Sequence, residues 1–496
     1  MYELRKSCYQ DPKSWDSEVS ISSTKLTNAV ASSFEGIYTP IHVDSESIHF
    51  LHSPSDFYSE ILRLVQSATS RLVLASLYFS CESDRERTLI RLIEKQIEKK
   101  PQLKLIILLD RNRMQRSGSE FISRMTRLQN QNPGRVRFSL FEMPSCLNAL
   151  QLGFDSRFRE FIGVFHMKIY IADNNCLWSG ANLSEQYFSS RTDRYMLIEN
   201  SPDLCDYCYH VARLLELHAF LSKASRSSRL RFPFRSLFSN WRKFPRSAKE
   251  TEIQRLQRFL KALMSMAPQQ QVSSSCDTVV YPFFQYGPGG VHNDPHVVNS
   301  LIETVSKHPN CNLSLASAYS NFTPPVMHKI SSVSDNKVRI LTSALSCNSF
   351  NGGSGVTQLV PHFYDHLIQS FCSAVQSGSA HHRISVWSWY KYGCTFHAKG
   401  LWVGTQDNNQ RVPVMVIGSS NLGSRSEHCD LEFSMVVATT NEKLQLEIGK
   451  ECMNLFADAS CIHHETHEKK SKDQKFTDFV FQVAVSFVAR QIQRFL

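Results

Sequence analysis

Phe165-His166-Met167-Lys168-Ile169-Tyr170-Ile171-Ala172-Asp173, followed by Ser179-Gly180-Ala181-Asn182, decides how the rest of this 496-residue chain is read, because a near copy returns in its second half. The copy is Phe396-His397-Ala398-Lys399-Gly400-Leu401-Trp402, and it closes with Gly418-Ser419-Ser420-Asn421. In an extended segment side chains alternate faces, so a His and a Lys two apart point the same way; Ile169, Ile171 and the flanking aromatics suggest a buried strand. The small-small-Asn ending lets a second segment approach closely and offers an amide. One such motif reads as a strand histidine hydrogen-bonded in a core. Two with matching flanks read as one site cut in half, with two imidazoles, two ammonium groups and two amides meeting at one spot. That set suits a phosphate diester: one His attacks phosphorus, the other protonates the leaving oxygen, and the cations stabilise charge on the equatorial oxygens.

The elements around the two motifs repeat as well. Phe57 to Ala68 has helical spacing, Arg71 to Tyr78 reads as a buried strand, Glu86 to Lys100 as an amphipathic helix, Leu103 to Asp110 as a strand, Ser119 to Gln131 as a helix and Arg135 to Phe141 as a strand. In the second half Leu313 to Tyr319, Val338 to Thr342 and Ile384 to Trp389 stand in the same order ahead of His397. Four matched strands in one order indicate a duplicated α/β domain, each copy expected to be a mostly parallel sheet flanked by helices. A pseudo-twofold pair would share one active site where the halves meet. The expected divisions are a flexible lead-in (1–45), a first half (46–215), a basic aromatic linker (216–275), a second half (276–445) and a C-terminal helical tail (446–496).

Length and composition fit two to four folded domains, and 42% hydrophobic residues exclude global disorder. A net charge of +10 favours an anionic partner without choosing among nucleic acid, an acidic membrane surface and a phosphorylated substrate. Fourteen Cys are scattered, several within apolar runs, as expected of free thiols rather than a disulfide framework. Cys205, Cys208 and His210, and Cys461 with His463, His464 and His467, lack the second matching pair of a structural zinc site, so no metal is expected. No stretch approaches the roughly 20 apolar residues of a spanning helix. Met1 to about Thr24 has no apolar core for a secretory signal and is acidic for a mitochondrial presequence.

Ser222 to Lys249 carries nine Lys or Arg and no Asp or Glu, interleaved with Phe232, Phe234, Leu237, Phe238, Trp241 and Phe244. Such a stretch reads as an anionic-lipid contact, as a solvated linker whose aromatics pack on a sheet, or as a nucleic-acid patch. Phe476 to Leu496 is too short an apolar run to span, and reads as a packed helix or an interfacial anchor. Asn351-Gly-Gly-Ser-Gly355 lacks the Lys and spacing of a nucleotide-triphosphate loop.

The paired His-x-Lys motifs resemble the phospholipase D superfamily, whose members join two such halves around one phosphodiester site. Matched to that signature, the first copy supplies His166, Lys168, Asp173 and Asn182, and the second His397, Lys399 and Asn421. Gly404 stands where the second Asp would be, leaving Asp430 and Glu432 as candidates to orient a His. Ala75-Ser-Leu-Tyr78, Ser179-Gly-Ala-Asn-Leu-Ser184, Tyr187-Phe188, Arg191-Thr-Asp-Arg-Tyr195, Thr395-Phe-His-Ala-Lys-Gly-Leu-Trp402 and Gly418-Ser-Ser-Asn-Leu-Gly423 are similar to the eukaryotic mitochondrial phosphatidylglycerophosphate synthases, over about residues 48 to 440.

The resemblance implies transfer of a phosphatidyl group from CDP-diacylglycerol to sn-glycerol 3-phosphate with release of CMP, on the way to cardiolipin. It implies association with the mitochondrial inner membrane, and a two-histidine mechanism that needs no metal or other cofactor. His166 is expected to be the nucleophile and His397 the acid and base, with Lys168, Lys399, Asn182 and Asn421 holding the phosphoryl oxygens. Arg191, Arg194 and Arg425 are candidates for the acceptor's phosphate, or for structural ion pairs. The alternatives are a phospholipase D-type hydrolase, a serine-accepting phosphatidyltransferase, a nucleic-acid phosphodiesterase, and a catalytically dead scaffold that binds anionic lipid. An anionic membrane surface is the expected partner beside the two substrates, and nucleic acid is not.

Overall fold

The computed structural model describes residues 23–144, 160, 162–226, 251–266, 276–308, 310–333, 336–350, 360–377, 382–405 and 410–462. Within them the expected strand and helix order recurs. In the first half strand Arg71–Ser76 leads through helix Asp84–Lys99 to strand Lys104–Asp110, then through helix Ser119–Gln131 to strand Val136–Phe141. Helix Asp84–Lys99 starts there because Ser83 caps it and Glu86 closes a capping box, and it buries Leu89, Ile90, Ile93 and Ile97. The second half repeats this with strands Cys311–Ala316, Lys337–Ser343 and Ile384–Trp389.

The sheets are mixed rather than mostly parallel. Within these two sheets, among the described residues, only the three strands just named in each half pair in parallel. The others are antiparallel: Ile169–Ala172 turns back tightly into Asn175–Ser179, and in the second half Gly400–Thr405 pairs antiparallel with Val414–Gly418. The first sheet has seven strands and the second ten, and all seven of the first have counterparts in the same spatial order in the second. This is the duplicated α/β architecture expected from the paired motifs.

Three buried clusters account for the layers. One lies on the outer face of the first sheet (Phe57, Ile93, Phe121), one on the outer face of the second (Val297, Ile340, Phe371), and the largest lies between the sheets. Helices Pro202–Arg226, Glu252–Met264 and Glu442–Ala457 fill the central layer, contributing Val211, Leu215, Leu260, Ile448 and Phe456 to that largest cluster. Trp178 of one sheet meets Phe433 of the other at 4.9 Å between ring centroids.

The expected boundaries need correction. Residues 23–43 are not a loose lead-in: helix Ser23–Phe34 buries Leu26, Val30 and Phe34 in the second half's outer core, and strand Ile41–Val43 pairs with strand Thr278–Tyr286. Within the expected linker 216–275, the described residues include the end of helix Pro202–Arg226 and helix Glu252–Met264. A boundary at 445 would cut helix Glu442–Ala457, after which strand Ala459–Cys461 joins the second sheet. Most of the basic aromatic stretch and the run from 476 to 496 lie outside the described residues. No described helix is long and apolar enough to cross a membrane.

Candidate active site

Each His-x-Lys lies just before a strand of its own half and is hydrogen-bonded to the other half, not to its own sheet. The His166 amide donates to the Leu431 carbonyl at 3.0 Å, and the Leu431 amide donates to the Val164 carbonyl at 3.0 Å. Reciprocally, the His397 amide donates to the Thr192 carbonyl at 2.8 Å, and Thr395–Phe396 pairs in parallel with Arg191–Thr192. Buried carboxylates fix the first crossing: Asp110 accepts the Phe165 amide and Asp430 the Val164 amide, both at 2.9 Å.

The crossing delivers each imidazole to a carboxylate of the opposite half. His166 Nδ1 lies 3.0 and 2.9 Å from the two oxygens of Glu432. His397 Nδ1 lies 2.6 Å from Asp193 Oδ2. Glu432 also accepts from the Ser419 hydroxyl at 2.5 Å and from the Ser426 hydroxyl at 2.8 Å, and Asp193 accepts the Arg194 amide at 2.8 Å. Carboxylates so placed hold the proton on Nδ1 and leave Nε2 as the reacting nitrogen.

Both histidines, both lysines and both carboxylates are buried. Burial pushes the carboxyls up, but their cationic partners win: His166 and Lys168 bring Glu432 to about 2, and Lys399 with His397 brings Asp193 to about 2. Burial lowers both histidines, and for His397 the Lys399 ammonium lowers it further, well below the ordinary value. Lys168 is brought down to about 7, first by burial and, against the pull of Glu432, by the charge of Lys399. That Lys168 feels both Lys399 and Asp193 makes the two half-sites one electrostatic unit.

The halves differ in where the ammonium goes. Lys399 Nζ stands 2.7 Å from His397 Nδ1 and 3.3 Å from Asp193 Oδ2. Lys168 Nζ instead donates to the His166 carbonyl at 2.6 Å. Gly180 permits the first arrangement, since a Cβ there would collide with the Lys399 ammonium and lie 2.9 Å from both Asp193 oxygens. The matching position in the second copy is Ser419, whose hydroxyl takes that space and donates to Glu432.

The remaining candidates divide. Asn182 accepts from Ser76 at 3.0 Å and donates to the Tyr187 hydroxyl at 3.2 Å, which itself lies 3.2 Å from His397 Nε2. The Asn421 side-chain oxygen is buried without a partner. Arg191 borders the site, its guanidinium 4.9 Å from the Tyr187 ring centre and its Nε donating to Thr395 at 3.1 Å. Arg194 is committed elsewhere: it stacks on Trp402, pairs with Glu451 at 2.6 Å and braces the Lys399 and Val416 carbonyls. Arg425 is held by Asp430 at 3.0 Å, and Glu432 serves His166 rather than a substrate group.

Asp173 is not brought to the site. It occupies the hairpin tip at φ 53° and accepts from the amides of Thr69, Ser70 and Arg71 at 2.8–2.9 Å, which ties the hairpin to the strand start. The residue expected to act as the first half's Asp is therefore replaced in that role by Asp193, which the motif reading passed over. A signal existed: Asp193 follows Asn182 by the same eleven residues that separate Glu432 from Asn421.

Two α/β halves, each lending the other a carboxylate for its histidine, give the chain a phospholipase D-like fold. The crystal structure of phosphatidylserine synthase from Haemophilus influenzae shares this fold, with a TM-score of 0.68 at 19% identity over 95% of this chain and all of that one. No protein-family model matches.

Sequence relatives are more specific. The CDP-diacylglycerol--glycerol-3-phosphate 3-phosphatidyltransferase of Schizosaccharomyces pombe is 30% identical, across 85% of this chain and 90% of its own. The probable enzyme of that name from Dictyostelium discoideum is 30% identical across 86% and 75%. The mitochondrial one of Gallus gallus is 28% identical across 87% and 82%. The chain belongs to the CDP-diacylglycerol--glycerol-3-phosphate 3-phosphatidyltransferase family.

Proposed function

We propose that the chain transfers the phosphatidyl group of CDP-diacylglycerol to glycerol 3-phosphate through a phosphohistidine, acting at a membrane surface in the mitochondrion, at the inner membrane. The observation that carries the mechanism is the pair of His–carboxylate dyads built across the halves. His166 Nε2 attacks the diacylglycerol-linked phosphorus, a P–N bond forms, and the P–O bond to CMP breaks. His397 gives its proton to the departing CMP oxygen. The acceptor hydroxyl then loses its proton to His397 and attacks phosphorus, and the P–N bond breaks to free His166.

The difference between the dyads supports this assignment. His166 Nδ1 faces a carboxylate alone, which strengthens Nε2 as a nucleophile. His397 Nδ1 sits beside an ammonium as well, which makes its protonated form the stronger acid. The negative charge of an arriving diphosphate favours protonation of His397 and of both lysines. Lys168 and Lys399 balance the phosphoryl charge, and Arg191 is the cation best sited for the acceptor's phosphate.

The test is CMP release with glycerol 3-phosphate, serine, other alcohols or water as acceptor. Glycerol 3-phosphate is expected to give the fastest release. His166→Ala and His397→Ala are each expected to lower it by about a thousandfold or more. Only the His397 variant should retain radiolabelled phosphatidyl on the protein. Label retained instead by the His166 variant would exchange the roles, and release with serine alone would change the substrate.

A further inference from the structure

We propose that the exposed loops after the second and third parallel strands of the second half, 344–350 and 390–394, are the surface that lies on the bilayer and admits the diacylglycerol end of the substrate. The inference rests on the phosphatidyltransferase reading and identifies where its lipid enters.

Seven large apolar side chains are exposed among the described residues, and four of them stand on these two segments: Leu345 (41%), Phe350 (39%), Tyr390 (55%) and Tyr392 (90%). The segments are neighbours. The Ala344 amide donates to the Trp389 carbonyl at 2.9 Å, and Cys347 Sγ lies 3.6 Å from the Lys391 carbonyl. Tyr392 is presented by a turn closed from the Cys394 amide to the Lys391 carbonyl at 3.1 Å, with Gly393 at φ 68° supplying the left-handed residue. Neither segment carries an Asp or Glu, although Lys391 pairs with Asp458 at 3.4 Å at the patch edge.

A bilayer fits these residues because tyrosine rings settle at the headgroup level while leucine and phenylalanine enter the acyl boundary. The patch is continuous with the site. Phe350 meets Tyr319 at 5.7 Å between ring centres, Tyr319 stacks on Tyr364 at 4.7 Å, and Tyr319 meets His397 edge-on at 6.5 Å. An apolar path therefore runs from the exposed loops to the reacting imidazole. The corresponding rim of the first half is charged and internally paired, Arg111 with Glu142 at 3.5 Å and Arg116 with Glu160 at 2.9 Å. The lipid would enter on the apolar flank.

The experiment compares the full-length protein with the double variant Leu345→Ser/Tyr392→Ser and with Leu446→Ser, an exposed apolar control on helix Glu442–Ala457. Binding is read by co-sedimentation with phosphatidylcholine vesicles containing about one-fifth phosphatidylglycerol. Turnover is read as CMP release from long-chain CDP-diacylglycerol in those vesicles and from a short-chain, monomeric analogue. The double variant is expected to lose about tenfold in vesicle binding and in long-chain turnover, with short-chain turnover at the wild-type rate, while the control matches wild type throughout. Wild-type binding by the double variant, or equal loss by the control, overturns the proposal. If wild-type protein releases no CMP from either substrate, the phosphatidyltransferase reading fails, and the binding comparison alone decides the membrane surface.

Discussion

The two halves are near copies in strand order, yet each has been given a different local chemistry around the same His-x-Lys. In the first half His166 faces Glu432 alone, and Lys168 is turned to a backbone carbonyl. In the second His397 shares Asp193 with Lys399. The divergence traces to one aligned position, Gly180 against Ser419: glycine leaves room for an ammonium, whereas serine supplies a hydroxyl in its place. Duplication thus provides the symmetric scaffold that a phosphorus atom approached from two sides requires. A single missing side chain then gives the two imidazoles different electrostatic surroundings.

The carboxylates test the comparison most severely. Glu432→Gln and Asp193→Asn preserve shape but remove the charge that stabilises an imidazolium and fixes Nδ1–H. Each is expected to lower CMP release by about a hundred- to ten-thousandfold, on the precedent of orienting carboxylates in hydrolytic triads. On the proposed roles, the Asp193 variant should still accumulate label on His166 and the Glu432 variant should not. Equal labelling in both would remove the distinction between the halves.

Gly180→Ala comes next. Its methyl group would collide with the Lys399 ammonium and press on Asp193. Displacing the ammonium by about an ångström is expected to cost roughly 10- to 100-fold in kcat, with the thermal midpoint little changed. A variant with wild-type kcat would show that the Lys399–Asp193 contact is not what distinguishes the second half.

Much of this was legible in the sequence. The recurrence of Leu72 to Tyr78 in Leu313 to Tyr319 announced the duplication, and the His, Lys and Asn residues of both copies were legible from their flanks. The antiparallel pairing was not, because alternation of strand and helix holds only up to the third strand, after which antiparallel strand pairs take over. Asp193 was passed over because Asp173 already filled the family's expected position, and a sequence motif does not say which half a carboxylate will serve. Arg194 stayed open between a phosphate ligand and an ion pair because its partner Glu451 lies 257 residues away, and Arg425 because nothing in the chain order says that Asp430, five residues on, turns back to it. Packing of residues 23–43 on the second half is long-range in the same way.

The smallest expected effect concerns Asp173, which the comparison of halves removes from the chemistry. Gly404 stands at the matching place in the second copy, so a catalytic Asp there would have broken the symmetry in a way the structure does not require. Asp173→Asn is expected to leave CMP release within about twofold of wild type and to lower stability by about 1–2 kcal/mol, the scale of a few partly exposed hydrogen bonds to a charged acceptor. The sign of its pH dependence is fixed by the environment. Burial opposes ionisation, but the Ser70 hydroxyl and the amides of Thr69, Ser70 and Arg71 outweigh it and hold the carboxyl down to about 2. The folded state therefore binds its proton less readily than the unfolded chain, so this contribution is complete above about pH 4 and fades as pH falls toward 2. Acid unfolding followed by circular dichroism should show a shallower decline over that window in Asp173→Asn than in wild type. A large loss of turnover with an unchanged acid profile would return Asp173 to the active site.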